Sequence, residues 1–513
     1  MFCLLAILAT LVHSVFAATV RVPQDFQSIQ AALENIVPND TVLVAPGSYE
    51  ETVVSPSMPF ALIGEIAGDS SDILRPVINP SLLPNANTLS CFHLNGSHVI
   101  VENFTFKNGP EMFPHTPPDQ GGVVVSGDSC VLRNCLFDSA STGLFSSSSV
   151  SLFLDECEFT DCVTLSVSTA FAQLVSRACR FDSRGVSSGP SSEFFECVFD
   201  SISTSFALHI SDHAHIENSI FRHHDAIGLS TIEGPNVSGE IVGCTFMECN
   251  PSLFALGFIR DCSADLLIED NLFLDIAPHA QAGGTISYGC TENIAGSMVT
   301  LRGNTFTHCG GNNGGKCFRT GNDTASMVFE HNRFIDNFGS GSAVSLNSQG
   351  SVFRQNVFIN NGYALASVYS CDARLNYWGD STGPHNMIHN PDGHGDEVSN
   401  SVVFDSWYID TLFFVDAVRF PNEFPLDFSF SVYPNPFNGT TRIALNAPNA
   451  FFASIELINI LGRRVKAIYH GPVIGYQEFS LNAENFPSGI YFVSIHDVVQ
   501  RFALSTQKVT LLR

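Results

Sequence analysis

One short phrase recurs along most of this chain: an apolar residue, a few polar ones, then Phe. It appears as VENFTF (101–106), LRNCLF (132–137), LDECEF (154–159), SRACRF (176–181), FFECVF (194–199) and IENSIF (216–221). It continues as IVGCTF (241–246), IEDNLF (268–273), LRGNTF (301–306), FEHNRF (329–334) and FRQNVF (353–358), and ends as RLNYW (374–378), with Trp378 in the Phe place. Successive aromatics lie 18 to 33 residues apart. A period of roughly 20–50 residues marks a solenoid. The segments between are short Val/Ile/Leu/Phe runs broken by Gly, Asn, Ser and Asp, with no helical-period run long enough to cover a sheet. The expectation is an all-β chain coiled into three parallel sheets, each coil stacking on the last.

Alignment on the aromatic explains half the cysteines. Two positions before it stand Cys135, Cys157, Cys179, Cys197, Ser219, Cys244, Asn271, Asn304, Asn332, Asn356 and Asn376. Three positions after it, a weaker column holds Cys162, Cys249, Cys309, Asn337 and Asn361. Buried Asn bonds along a stack as amide ladders do, and Cys fills the same slot as a small hydrophobe. Eight of the 15 cysteines therefore belong to structural columns. Neighbours in a column are within disulfide reach, but the required dihedral is restrictive, and buried free thiols are expected. Cys157/Cys162, a close pair, is explained by packing and needs no metal.

Charge narrows the partners. There are 23 Lys+Arg against 50 Asp+Glu, a formal net charge of -27. Such a chain is a poor counterion for phosphate backbones, so nucleic acid is not a partner. Residues 1–17 resemble a secretory signal peptide ending at Val15-x-Ala17, although no positive residue precedes the apolar run. No later stretch reaches the roughly 18 apolar residues of a membrane span, so the mature chain is expected to have no transmembrane helix.

The two ends of the repeat carry further information. In RVPQDFQSIQAALENIVPNDTVLVAPGSYEETVV (21–54), Phe26, Ile29, Ala32 and Leu33 mark one face of a short helix. Pro38 breaks it, and the chain turns into a strand at Thr41–Ala45. The helix would cover the open first coil, which otherwise exposes core and unpaired strand edges. At the other end, NYWGDSTGPHNMIHNPDGHGDEVSNSVVFDSW (376–407) lays a Gly/Pro-rich loop over the last rungs. Both phrases resemble the secreted right-handed parallel β-helix proteins of the pectate-lyase-like superfamily. That resemblance implies the fold for residues 18–410. It does not choose among the lyases, hydrolases, esterases, epimerases and non-catalytic surface proteins built on it.

No catalytic set or cofactor site stands out. Polysaccharide hydrolases need paired carboxylates, and no Asp-Asp pair occurs. Gly393-His394-Gly395 is superficially similar to a motif of pectin-hydrolysing relatives, without its aspartates. The Asp-Phe phrase of pectin methylesterases is not recognisable. Calcium would be the cofactor if the protein were a lyase, yet no acidic cluster with a matching Arg or Lys is evident. The best local group is His209, Asp212, His213, His215, His223, His224 and Asp225. Leu208, Ile210, Ala214 and Ile216 compete for the core, leaving His213 and His215 on one outward face. His223-His224-Asp225, expected one coil later, would complete an acid–base or divalent-metal patch; otherwise the group is solvated corner residues.

After a linker at 411–429, alternating segments follow: TRIAL, SIELINILGRRV, YQEFSL, GIYFVSI and KVTLLR. Asn438-Gly439 and Pro487-Ser488-Gly489 punctuate them as turns of a small antiparallel β-sandwich. YPNPFN, IELINILGRRV, FPSGIYFVSI and the terminal KVTLLR closely resemble the type A C-terminal sorting domain of the type IX secretion system, over 430–513. Gly439 stands where relatives often carry Pro. The resemblance implies the type IX machinery as partner, and a secreted or outer-membrane surface location in a Gram-negative bacterium. Two functions remain open: non-catalytic glycan binding or adhesion, which the missing catalytic set favours, and a calcium-dependent lyase acting on an extracellular polysaccharide.

Overall fold

The computed structural model describes residues 17–512 apart from short loop stretches; the longest left out are 109–121, 290–297 and 413–428. The signal segment and the linker thus lie outside the described residues. No helix among the described residues is long and apolar enough to cross a membrane. The chain divides into two compact units, one up to Ser192 and one from Glu193 onward.

In the first unit each coil contributes one strand to each of three parallel sheets. Cys130–Arg133 enters sheet one, Leu136–Asp138 sheet two and Thr142–Phe145 sheet three. The next coil registers Leu154 on Leu132, Phe159 on Phe137 and Val167 on Leu144. The first rung is closed by the helix Ile29–Leu33, whose Ile29, Ala32 and Leu33 are buried. Ser28 caps it by accepting from the Ala31 amide at 3.1 Å, and Glu51 accepts from the Ile29 and Gln30 amides. The strand expected at Thr41–Ala45 runs from Thr41 to Val44.

The second unit repeats the scheme, with His213–Glu217, Ile220–Arg222 and Ser230–Glu233 as one coil. Its aromatic column stacks from Phe199 through Phe221, Phe246, Phe273, Phe306, Phe334 and Phe358 to Trp378, with ring centroids 4.6 to 4.9 Å apart. That spacing is the distance between paired strands, so coil stacking itself sets the ring stacking. The first unit carries its own run, Phe106, Phe137, Phe159 and Phe181.

The column two residues before the aromatic is buried throughout. In the second unit its amides form a saturated ladder. Asn271, Asn304, Asn332 and Asn356 each donate through Nδ2 to the next Asn Oδ1 at 2.9 to 3.0 Å, ending at Asn376. The other Nδ2 proton goes back to the previous coil, as from Asn271 to the Ile241 carbonyl at 2.8 Å. Cys occupies the slot because its thiol reaches the equivalent carbonyl: Cys157 to Leu132 and Cys244 to Ile216. The described cysteines are buried, and Cys135, Cys157 and Cys244 are free thiols. Burial pushes the Cys162 and Cys244 thiols up to about 12.

The residue before this column is left-handed in coil after coil: Asn134, Glu156, Ala178, Glu196, Asn218, Asp270, His331 and Gln355 all have φ near +50°. The conformation aims each amide along the stack, as from Asn134 to the Asp155 carbonyl and from Asn218 to the Val242 carbonyl. The hydrogen bond repeated at this corner from coil to coil offsets a backbone strain of about 1 kcal/mol per residue.

The C-terminal segment forms a five-stranded antiparallel sheet. Its strands are longer than their sequence segments indicate. Thr440–Asn459 pairs with Ser429–Tyr433 and Arg464–Asn482, and its second half also with Gly489–Asp497. Phe502–Leu511 completes the sheet. Val432, Ile443, Leu445, Ile455, Leu457, Val493 and Val509 share one core.

Candidate functional site

The histidine-rich stretch runs from the sheet-three strand Leu208–Ile210 of one coil into sheets one and two of the next. Leu208, Ile210, Ala214 and Ile216 are all buried, as alternation requires. His213 and His215 face outward from sheet one. His213 Nδ1 meets Ser238 Oγ at 2.7 Å, and His215 stands between Glu217 and Glu240 at 3.4 and 3.2 Å. The expectation that His223 and His224 join them one coil later is corrected: both follow strand Ile220–Arg222 of sheet two, at the next corner of the same coil, with different partners. His209 belongs to sheet three, where its ring lies 5.4 Å from Phe206. Asp212 and Asp225 lie outside the described residues.

His223 and His224 point opposite ways. His224 sits three residues after Phe221 and is fully buried, placing it in the second column. Its Nε2 bonds the Phe199 carbonyl at 3.1 Å, as Asn337 bonds Phe306 and Asn361 bonds Phe334 one coil down. It is a rung of the coil. His223 has φ +56° and turns outward. Its Nδ1 contacts Asp200 Oδ1 at 2.9 Å and its Nε2 contacts Glu248 Oε2 at 3.1 Å.

Asp200 anchors this group and was not recognised in the sequence. It is buried one residue after its Phe, registers with Arg222 in the next coil, and accepts from Arg222 Nε and Nη2 at 3.0 and 2.7 Å. Ser201 Oγ donates to Asp200 Oδ1. The result is a relay, Arg222–Asp200–His223–Glu248, buried at Asp200 and open to solvent at His223 and Glu248. A single Asp in a repeat carries no motif; the only signal was its place beside the aromatic, where two other coils carry Asp138 and Asp182.

Calcium does not fit these groups. Among the described residues no three His, Cys, Asp or Glu side chains converge as a metal site, and the Arg222 guanidinium occupies Asp200 where a cation would have to bind.

The closing loop is tightly packed at its glycines. A Cβ on Gly395 would lie 2.3 Å from the Trp378 carbonyl, and one on Gly393 2.3 Å from that of Pro384. Thr382 Oγ1 donates to Asp380 and meets His394 Nδ1 at 3.4 Å, all at the surface. Buried Asp396 terminates the second ladder by accepting from the Asn361 and Gly362 amides and from Asn361 Nδ2. Burial raises its pKa, and those donors oppose the shift.

Comparison with known proteins agrees with this architecture. Residues 183–403 match the family described as right handed beta helix region, and residues 431–509 match the secretion system C-terminal sorting domain. No curated protein sequence matches. Among solved structures, the mannuronan C-5 epimerase AlgE6 A-module of Azotobacter vinelandii is similar at 14% identity and a TM-score of 0.32, covering 73% of this chain and 94% of that one. A tailspike protein mutant of E. coli bacteriophage HK620, in complex with a pentasaccharide, shares 11% identity at a TM-score of 0.28, covering 88% of each chain. The chain therefore carries a right-handed parallel β-helix region followed by a type IX secretion system C-terminal sorting domain, and is a secreted or cell-surface protein of a Gram-negative bacterium.

Proposed function

We propose that this exported β-helix protein is an enzyme acting on an extracellular polysaccharide, with His223 as its general acid–base group. The observation that carries the reading is the exposed imidazole held between buried Asp200 and solvent-facing Glu248. Asp200 accepts a hydrogen bond from Nδ1–H and so orients the ring. Nε2 is then free to exchange a proton with Glu248 or with a substrate hydroxyl that displaces it. Arg222 donates twice to Asp200 and holds its carboxylate in place. Proton transfer by a positioned imidazole contributes roughly 10²–10⁴-fold to a rate.

The test is a panel of neutral and acidic polysaccharides, with and without calcium, scored for new reducing ends and for unsaturated ends. Turnover by the wild type that falls roughly 10²-fold or more in His223→Gln and Asp200→Asn supports the reading. Binding without turnover overturns it in favour of a non-catalytic glycan-binding role. That second reading has its own support in an outward row of sheet three, where Ser287, Arg319 and Ser345 register on successive coils.

A further inference from the structure

We propose that Lys316 and Arg319 form an oxyanion subsite on sheet three, which takes the carboxylate or sulfate groups of a charged extracellular glycan. The inference rests on the polysaccharide reading above and names the class of polymer.

The chain has only four lysines and a net charge of -27. Several of its cations find carboxylates: Lys107 on Asp138, Arg133 on Asp155, Arg222 on Asp200, Arg302 on Glu269 and Arg354 on Asp372. Lys316 and Arg319 differ from these. Both lie half-buried on strand Lys316–Thr320, and among the described residues neither has a carboxylate partner. Two like charges brought together without a counterion destabilise the empty protein, and an arriving anion relieves that repulsion.

The backbone holds the pair together. Lys316 registers with Gly284 and Arg319 with Ser287 on the preceding coil. A Cβ on Gly284 would lie 3.1 Å from Arg319 Cγ, so the arginine stem lies across the bare glycine, back toward Lys316. Burial and the neighbouring guanidinium both lower the pKa of the Lys316 ammonium. Ser287 and Ser345 flank Arg319 on the adjacent coils, offering hydroxyls at about 4.8 Å spacing to the sugar carrying the anion.

Affinity electrophoresis of the full mature chain through gels holding polygalacturonate, dextran sulfate or unmodified dextran tests this. The expected result is retardation by one or both anionic polymers that weakens with salt. It should fall roughly tenfold or more in the Lys316→Gln/Arg319→Gln double variant and be retained by Lys316→Arg. Unchanged thermal unfolding of the double variant is the control for folding. Retardation by polygalacturonate alone assigns the carboxylate, and by dextran sulfate alone the sulfate ester. The proposal is overturned if neither anionic polymer retards the wild type, or if the double variant is retarded as strongly. His223→Gln tests the acid–base reading separately, since its loss of turnover does not depend on this subsite.

Discussion

A single side-chain oxygen, Oδ1 of Asn304, accepts both the backbone N–H of Asn271 at 3.0 Å and its Nδ2 at 2.9 Å. Asn304 makes the same two donations to Asn332 in the next coil. Each rung thus satisfies the one before it, and no amide proton or oxygen of the ladder is left over. A buried polar column stabilises a fold only under that condition.

Replacing Asn304 by Ala removes the acceptor for two buried N–H groups and the donors to Ile268 and Asn332. Each unsatisfied buried group costs about 1–3 kcal/mol. The expected outcome is a clear fall in the thermal midpoint, with earlier hydrogen exchange at the Asn271 amide. An unchanged exchange rate there would show that the ladder adds nothing.

His224 makes the coil acid-sensitive. Burial holds the imidazole neutral, with its pKa pushed down to about 4 against 6.5 for an ordinary histidine. As pH falls, the unfolded chain takes up the proton first, so the stability of the neutral rung is intact above pH 6.5 and is lost on the way down to about pH 4. The loss amounts to about 3 kcal/mol. Asn, which fills this column at positions 337 and 361, should abolish that component in His224→Asn. Stability measured from pH 7 to 4 decides; parallel curves for both proteins would refute it.

The glycines around His394 and the imidazole itself should respond oppositely to alanine. Gly395→Ala drives a methyl into the Trp378 carbonyl and is expected to cost about 1–3 kcal/mol by overpacking. His394→Ala, at the surface, should leave stability and activity within error. A turnover defect in His394→Ala with normal stability would restore the closing loop as a catalytic candidate.

Deleting residues 430–513 removes the sorting domain and leaves the coil, which has its own core. The truncated protein should accumulate in the periplasm, and cell fractionation reads this directly. Normal delivery to the surface or medium would overturn the sorting role.

The repeat determined the inside of this protein. Phe, Cys and Asn fall at fixed offsets because every coil makes the same corners and buries the same positions, so periodicity alone located the aromatic stack, both ladders and the buried thiols. The C-terminal β domain was legible in its turn residues and alternating strands, which lie close together in sequence, and its sorting role in the resemblance of YPNPFN, IELINILGRRV and FPSGIYFVSI to that family. His224 was within reach too, three residues after its Phe, but its charge suggested chemistry where the column dictated packing. The outside was decided by tertiary structure. Outward neighbours come from successive coils joined by loops of unequal length, and only the strand register says which of them meet. That register separated His213 and His215 from His223, set Arg222 on Asp200, and laid Arg319 over Gly284 beside Lys316 in an otherwise acidic chain.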